Sequence, residues 1–346
     1  MPTLRSLQAQ RQRLARIAHH GQIVYHWQAR KSLKVPYLPA EIGFELTNRC
    51  NFKCAFCPQS NPAHFDEVPR TLLSLDQARL MLAKLRRGGV TGNVMHWTLD
   101  GEPFMNKQFA AIVGAARDHG FTAHHFASNG YFVSPERLAD FPHGPQDRYF
   151  ITTDFCSDAE YFEQYRGTPG SWEVVRKNIT EVLANPEFAG FTFKITDISS
   201  YTVHDPAEQA SRFAALQALF PADPRLSFHQ RVFHNMAGFK AIGKKSQRYN
   251  LCPYPWVSLV VASNGDCVAC CRDLEHRTVL GNLLTQELEE IWNGEKYQAL
   301  RRALAEKRPD DMAACKGCDM PHDDSKFSVR NLVKTAVHRA LLFEKL

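Results

Sequence analysis

The chain has no long apolar run, and this absence excludes a whole class of protein. None of its uninterrupted apolar stretches approaches the ~20 residues that a membrane span needs. The first residues are basic and polar, without the apolar core of a signal peptide. No dense Lys/Arg run alternates with aromatic residues, which argues against a nucleic-acid partner. These absences predict a protein of the reducing cytoplasm.

Cysteine is scarce outside three short groups. Of the 10 cysteines in 346 residues, all but one lie in these groups: Cys50, Cys54 and Cys57; Cys252, Cys267, Cys270 and Cys271; Cys315 and Cys318. Such clustering in a long chain without a secretion signal indicates metal binding rather than disulfides. The net charge of +6 predicts either a mildly basic surface or a docking site for an acidic electron donor such as flavodoxin or ferredoxin.

Strand-like and helix-like segments alternate from Glu41 onward. Helix starts are marked by a capping box of Ser74 with Gln77 and by Asn106, Ser134, Ser157, Asp205 and Thr285. Consecutive strand–helix units predict a parallel sheet with helices outside and chemistry at the carboxyl ends of the strands. A strand count alone does not separate a barrel from a doubly wound sheet. The strands are predicted at 42–46, 93–99, 121–127, 148–154, 191–198 and 225–232.

Four segments are predicted along the chain. A basic N-terminal extension (1–40) contains a helix with Leu4, Leu7, Leu14 and Ile17 on one face, packed outside the main domain. The strand–helix domain covers 41–235 and a cysteine-rich domain covers 236–325. Apolar residues at helical spacing predict a terminal amphipathic helix over 326–346.

The loop from Thr47 to Pro58, directly after the first predicted strand, carries Cys50, Cys54 and Cys57. Three thiolates on one loop can hold a cubane iron–sulfur cluster and leave one iron open for a ligand. A zinc site is the alternative, with His64 as the close candidate for a fourth ligand, and buried structural cysteines are another.

The C-x3-C-x2-C spacing, with Phe56 before the last cysteine, resembles the radical S-adenosylmethionine (SAM) superfamily. The resemblance implies a partial (βα)6 TIM-like barrel and a [4Fe–4S] cluster whose free iron binds SAM. It also implies reductive cleavage of SAM to methionine and a 5′-deoxyadenosyl radical. Phe56 is accordingly predicted to be a cofactor contact.

Further motifs at predicted strand ends match this family. Gly101-Glu102-Pro103 resembles its glycine–glutamate element, in which the carboxylate receives the SAM ammonium, although Asp100 replaces the usual second glycine. Ser128-Asn129-Gly130 resembles its T-N-G turn, and we expect Ser128 and Asn129 to contact SAM; a plain turn is the alternative. Asp154 is a candidate substrate or ribose contact, and Arg166 a candidate cofactor contact.

The later cysteines resemble the SPASM/twitch extension of radical SAM proteins. The pattern C…G-x4-C…L-G-N…I-W-N…C-x2-C is present over 252–318. The resemblance implies one auxiliary [4Fe–4S] cluster held by Cys252, Cys270, Cys315 and Cys318, with Cys267 or Cys271 as possible replacements for Cys270. A structural four-cysteine zinc site fits the same spacing.

One cysteine stands apart from the groups. Cys156 follows the fourth predicted strand, where a thiol can donate a hydrogen atom to a substrate radical; a small buried residue is the alternative. His96 and the pair His124/His125 lie on strands and either line the site or belong to the core.

Together these features predict a radical SAM enzyme with one auxiliary cluster. It would abstract hydrogen from a small polar substrate of sugar, cyclitol or nucleoside type, leading to dehydrogenation or epimerisation. A maturase of ribosomal peptides is the alternative within the family. A zinc-stabilised RNA-binding module is the alternative from another class.

Overall fold

One nine-stranded sheet organises the part of the chain that the computed structural model describes, which is residues 4–90, 94–231, 235 and 246–324, with side chains from Leu14 onward. The sheet order is β6-β5-β4-β3-β2-β1-β7-β8-β9. Strands β1 to β6 are all parallel, and each pairs with its neighbour in sequence, as predicted. The strands are β1 Glu41–Phe44, β2 Val94–Trp97, β3 Ala123–Ala127, β4 Arg148–Phe155, β5 Phe191–Asp197, β6 Leu226–Gln230, β7 Ser258–Val261, β8 Asp266–Val268 and β9 Val279–Asn282.

Helices connect the strands and cover one face of the sheet. On that face, apolar side chains such as Met95, Phe126 and Ile151 are fully buried in the main hydrophobic core. The helices are α1 Leu4–Val24, α2 His64–Glu67, α3 Leu75–Arg87, α4 Phe109–Asp118, α5 Pro135–Leu138, α6 Ala159–Arg166, α7 Ser171–Ala184, α8 Pro206–Ala218, α9 Tyr254–Val257, α10 Leu288–Trp292 and α11 Glu295–Ala305. No helix among the described residues combines the length and apolarity that crossing a membrane requires.

Two of the predicted helix caps are confirmed. Ser74 and Gln77 form a reciprocal capping box before α3, and the side chain of Asp205 accepts from the Glu208 amide at the start of α8. Each satisfies amides that the first helical turn leaves without an intrahelical partner. The side chain of Ser134 makes no cap hydrogen bond, although α5 starts at the predicted Pro135.

Three predicted caps are wrong. Asp158, not Ser157, caps α6 through a bond from the Tyr161 amide, because α6 starts one residue later. Glu287 and Glu290 form the box at α10, where Thr285 was expected. Asn106 holds two loops together instead, since its side-chain amide donates to the carbonyls of Leu46 and Leu73.

The cysteine-rich segment extends the main sheet. Strand β7 runs parallel to β1, with Gly43 opposite Val260, and β8 and β9 continue the sheet in antiparallel fashion. A side chain on Gly43 would pack directly on Val260, 3.7 Å away. The sequence analysis did not predict that this segment pairs with β1. An unpaired edge of β1 would leave backbone donors and acceptors without partners, and β7 supplies them.

The N-terminal helix packs through a different face from the predicted one. Leu14 and Ile17 are 65% and 43% exposed, so they do not form its buried face. Ile23 and Trp27 are buried instead, and the Trp27 indole N–H donates to the carbonyl of Leu251 at 3.1 Å. The N-terminal segment is therefore held on the rest of the protein by the apolar side chains that it buries at its end. The predicted helix at 326–346 lies outside the described residues.

Candidate functional site

The loop after β1 gathers the first three predicted ligands. Cys50, Cys54 and Cys57 are each partly buried. Burial raises the pKa of all three thiols, to about 12 for Cys50, and the neighbouring cysteines add to the rise for Cys50 and Cys57. Thiols that raise one another's pKa are close in space, and a cationic cluster is the partner that makes such buried thiolates stable.

Backbone contacts hold this loop in place. The amides of Lys53 and Ala55 donate to the carbonyls of Arg166 and Tyr165 at the end of α6. Gly167 follows in a left-handed conformation with φ of 64°, and a Cβ there would lie 2.4 Å from the Lys53 carbonyl oxygen. Only glycine allows this approach of the helix end to the cysteine loop.

A cubane cluster fits this donor set better than one metal ion. Within the described residues, no three Cys, His, Asp or Glu side chains are arranged to hold a single ion. The three thiols nevertheless interact electrostatically, as their pKa shifts show. A cubane spreads its ligands over separate irons, so its cysteines lie farther apart than the ligands of one zinc ion.

The turn after β2 presses against the cysteine loop. Gly101 has a φ of 82°, and a Cβ there would lie 2.3 Å from the carbonyl oxygen of Thr47. The Glu102 amide donates to the Arg49 carbonyl at 2.8 Å. Pro103 is buried at the first position of a short 3-10 turn. Gly101 and Glu102 are thus packed directly on the segment that leads into Cys50, and Pro103 follows them in the same turn.

Glu102 links the β2 turn to the β3 turn. Its buried carboxylate accepts from the Ser128 hydroxyl at 2.9 Å, the Asn129 amide at 2.7 Å and the Phe104 amide at 3.2 Å. Burial raises the pKa of Glu102 to about 7 despite these donors. The Asn129 side chain reaches the loop itself, donating to Asn51 Oδ1 at 2.8 Å and to Cys50 Sγ at 3.8 Å. The structure therefore brings Glu102, Ser128 and Asn129 together beside Cys50.

Asp100 makes a buried pair with His64. The His64 Nε2 atom lies 2.8 Å from Asp100 Oδ2, and both residues are almost fully buried. The hydrogen bond to Asp100 raises the pKa of His64. The Asp100 amide donates to the buried Glu45, which also accepts from Ser263 in the turn between β7 and β8. The carboxylate that replaces the family glycine thus ties the segment after the cysteine loop to β2.

Asp154 is shared by two arginines at the end of β4. Arg231 NH1 lies 3.0 Å from Asp154 Oδ1, and Arg166 NH1 lies 3.4 Å from Oδ2. Nearby, Phe56 stacks on Tyr201 with ring centroids 3.8 Å apart. The predicted residues Phe56, Asp154 and Arg166 therefore lie on the cysteine-loop side. Sequence reasoning missed Tyr201 and Arg231, although Arg231 follows β6 directly, as site residues of such sheets do.

The second cysteine site lies beyond β8. Burial first, and then neighbouring cysteines, raise the pKa of Cys252, of Cys270 and of Cys315. Cys318 completes the predicted set in the turn that follows Cys315. Burial also raises the pKa of the Cys318 thiol, and the Arg272 guanidinium, which pairs with Asp319 at 2.8 Å, offsets part of that rise.

The two alternative cysteines have different surroundings. Cys267 lies on β8, fully buried in the hydrophobic core. Cys271 is exposed and hydrogen-bonds the Tyr254 hydroxyl. Of the three, Cys270 is the one whose pKa is raised by both Cys252 and Cys315. The pKa of Cys252 is in turn raised by Cys271, so Cys271 also lies near this set, and Cys270 as the fourth ligand stays a prediction.

The remaining candidates separate into core and inner-face residues. Cys156 is 1% exposed in the hydrophobic core, and its thiol donates to the Asp158 carbonyl at 3.2 Å. His124 is also a core residue and accepts from the Trp97 indole N–H at 3.1 Å. Its pKa is lowered to about 3 by burial. His96 and His125 lie on the opposite face of the sheet, away from the helices. Hydrogen donation by Cys156 stays a prediction that this packing does not favour.

Two family models match the chain. The model of the radical SAM superfamily covers residues 44–186, and the SPASM model, an iron–sulfur cluster-binding domain, covers residues 252–319. All three cysteine groups fall inside these ranges, so the matches favour iron–sulfur over the zinc alternatives.

Full-length relatives and solved structures agree with this result. Mycofactocin maturase MftC from Mycolicibacterium smegmatis is 26% identical over 81% of this chain and 75% of its own length. The 2-deoxy-scyllo-inosamine dehydrogenase of Niallia circulans is 22% identical over 80% and 92%. BtrN with AdoMet and 2-DOIA superposes with a TM-score of 0.55 at 18% identity over 82% and 94%. The AdoMet complex of anSMEcpe gives 0.56 at 11% identity over 89% and 96%. The partial-barrel fold class is thereby confirmed.

Proposed function

We propose that this chain, which belongs to the radical SAM superfamily and carries a SPASM domain, abstracts a hydrogen atom from a small polar substrate. Membership implies a [4Fe–4S] cluster that binds SAM and further iron–sulfur content in the SPASM domain. When bound, the first cluster supplies the electron that cleaves SAM to methionine and a 5′-deoxyadenosyl radical. The number of auxiliary clusters is part of the proposal, and we expect one.

The convergence of three strand ends on the cysteine loop carries the proposal. Cys50, Cys54 and Cys57 would hold the cluster and leave one iron open. Glu102 would receive the SAM ammonium, since a buried carboxylate is a strong acceptor for a cation. Ser128 and Asn129 keep that carboxylate oriented through their hydrogen bonds. Phe56 and Arg166 would contact the cofactor, and Asp154 the substrate.

The second cysteine site would accept one electron from the substrate radical, which thereby becomes the oxidised product. Cys252, Cys270, Cys315 and Cys318 would close all four positions of an auxiliary cluster, which makes electron relay its role rather than substrate binding. A flavodoxin or ferredoxin would supply electrons to the first cluster through the basic surface. We propose that this protein and its electron donor are both located in the cytoplasm.

Iron, sulfide and product analysis test this proposal. We expect about eight irons and as many sulfides per chain after anaerobic reconstitution, from two cubane clusters. Dithionite and SAM should then yield 5′-deoxyadenosine. Zinc without sulfide, or intact clusters that never cleave SAM, would overturn the proposal.

A peptide substrate is the second candidate, because a maturase matches over 81% of this chain. Isotope transfer separates the two. Deuterium from a labelled small molecule should appear in 5′-deoxyadenosine if the first candidate is right. Transfer only from a labelled peptide would replace it with the second.

A further inference from the structure

A group of basic side chains occupies the inner face of the sheet, below the cysteine loop. Strand register places His96 opposite His125, Thr152 opposite Lys194, and Thr196 opposite His229. Paired residues and their i+2 neighbours share one face of a parallel sheet. We call the group formed by His96, His125, Thr152, Lys194 and His229 the inner recess.

Hydrogen bonds join three members of the inner recess. The Nδ1 atoms of His96 and His125 lie 3.2 Å apart, and His125 Nε2 lies 2.8 Å from the Thr152 hydroxyl oxygen. The two imidazole rings meet edge-on with centroids 5.2 Å apart. The chain fixes the His125 ring from both sides, so its polar atoms are pre-oriented.

Lys194 gives the inner recess its charge. It is exposed on β5, and within the described residues no carboxylate lies at ion-pair distance from it. Its ammonium lowers the pKa of His125, after burial and His96, to about 3, and it also lowers the pKa of His229 after burial. The electrostatic field of Lys194 on β5 therefore reaches His125 on β3 and His229 on β6.

Acidic groups on the same face are already engaged. Asp154, two residues after Thr152, is paired with Arg166 and Arg231. On β1 and just after it, Glu41 accepts from the Ser258 hydroxyl, and Glu45 accepts from the Asp100 amide and from Ser263. Within the part of the chain that the structure describes, the positive charge of the inner recess therefore has no carboxylate paired with it, and an anionic ligand would supply one.

We infer that the inner recess binds an oxyanion of the substrate, a carboxylate or a phosphate, with Lys194 as its charged contact. This inference rests on the proposed function, because it gives the substrate a charge and a position. His96 and Thr152 line the recess on the adjacent strands, and the His125 ring, which is hydrogen-bonded to both, holds them in place. The recess lies one inward-facing residue below the ends of β3 and β4, so the anion anchors the substrate beneath the cofactor site.

Direct anion binding tests the inference. Inorganic phosphate and acetate are titrated separately into the reconstituted holoprotein by calorimetry. We expect saturable binding of at least one anion, weakened about tenfold or more in Lys194→Gln because a charged hydrogen bond is lost. Lys194→Arg should restore it. The control Lys177→Gln removes an exposed lysine paired with Glu181 on α7 and should bind as wild type does.

A second measurement, the pKa of His125, reports on the inner recess directly. A bound anion favours the charged form of a neighbouring imidazole, so phosphate or acetate should raise the pKa of His125 measured by NMR. The stronger anion of the two identifies the source: phosphate a phosphorylated substrate, acetate a carboxylated one. Binding of neither anion, or equal binding by wild type and Lys194→Gln, overturns the inference.

Formation of 5′-deoxyadenosine without substrate separates the two claims. If the holoprotein cleaves SAM but binds neither anion, the inference fails and the proposed function stands. If anions bind through Lys194 but SAM is never cleaved, the proposed function fails while the anion site remains.

Discussion

The two cysteine sites of this chain differ in ligand number and in what surrounds them. Cys50, Cys54 and Cys57 supply three thiols beside the buried carboxylate Glu102. The second site offers four thiols at the predicted positions, with Arg272 close to them. A site with an open iron needs an acceptor for the cofactor that fills it, whereas a closed site needs charge balance for its thiolates. In the function that we propose, thiolates would therefore serve SAM activation at the first site and electron relay at the second.

The largest expected effect is the loss of SAM cleavage when a cysteine of the first, three-cysteine site is removed. Cys54→Ala should lower 5′-deoxyadenosine formation to the uncatalysed background and reduce iron from about eight to about four per chain, because one cubane is lost. The control Cys267→Ala alters a core cysteine and should keep its iron. The prediction fails if Cys54→Ala still cleaves SAM.

Loss of one thiol from the second, four-cysteine site should also remove iron but should leave SAM cleavage intact. In Cys270→Ala we expect about half the iron, since a cubane with three ligands at this position is unstable, but continued substrate-free cleavage of SAM. The neighbouring Cys271→Ala should retain both iron and cleavage. Iron analysis and 5′-deoxyadenosine assays on the two variants show which cysteine is the ligand. Iron loss in Cys271→Ala but not in Cys270→Ala would make Cys271 the ligand.

The carboxylate beside the open site should control SAM affinity. Glu102→Gln removes a charged acceptor, worth about 2 kcal/mol or roughly 30-fold in Kd. Because burial raises the pKa of Glu102 to about 7, the carboxyl must lose its proton to bind the SAM ammonium. Wild-type affinity should therefore increase from pH 6 to pH 8, and affinity of the variant should not. Binding titrations measure this, with Glu181→Gln on α7 as the control.

The pair behind the open site should contribute to stability. His64→Asn leaves Asp100 without its buried partner and should cost about 2 kcal/mol of unfolding free energy. Since the pKa of His64 is raised in the folded state, the stabilisation is complete below its unfolded pKa and is lost as pH rises through the folded value. Urea unfolding should show a larger difference between wild type and variant at low pH than at high pH. A constant difference, or an equal effect of His204→Asn on the surface, would contradict this.

The smallest effect is expected at the solitary cysteine. Cys156→Ala removes one buried sulfur and should cost about 1 kcal/mol, near the usual effect of a single substitution. Its packing against the core predicts unchanged product configuration and rate. A changed configuration would instead support hydrogen donation by this thiol.

Sequence patterns were sufficient for the local parts of the site. The spacing of Cys50, Cys54 and Cys57 and the G-E-P turn are contiguous motifs. Regular strand–helix alternation predicts that β1 to β6 are parallel, and the family resemblance implies their order. The need for glycine at Gly101 and Gly167 is not local, since each permits a close approach to a backbone carbonyl far away in sequence, that of Thr47 or of Lys53.

Long-range contacts were not visible in the sequence. The pair of His64 with Asp100 joins residues 36 positions apart, and that of Asp154 with Arg231 joins residues 77 apart. No periodicity marks such pairs, because they depend on which strand ends meet in three dimensions. The prediction of Ser157 as a helix cap failed for another reason. Ser157 and Asp158 are adjacent polar residues, and a shift of one position in the start of α6 decides which of them caps it.

The pairing of β7 with β1 also determines how this chain can be divided. A shortened chain that ended at residue 235 would lose β7 and expose the backbone of β1 along Ile42 to Phe44, both of which are fully buried in the intact protein. A bare strand edge of this kind recruits strands from other copies and promotes aggregation. We therefore expect the two halves to be recovered in good yield only when they are produced together.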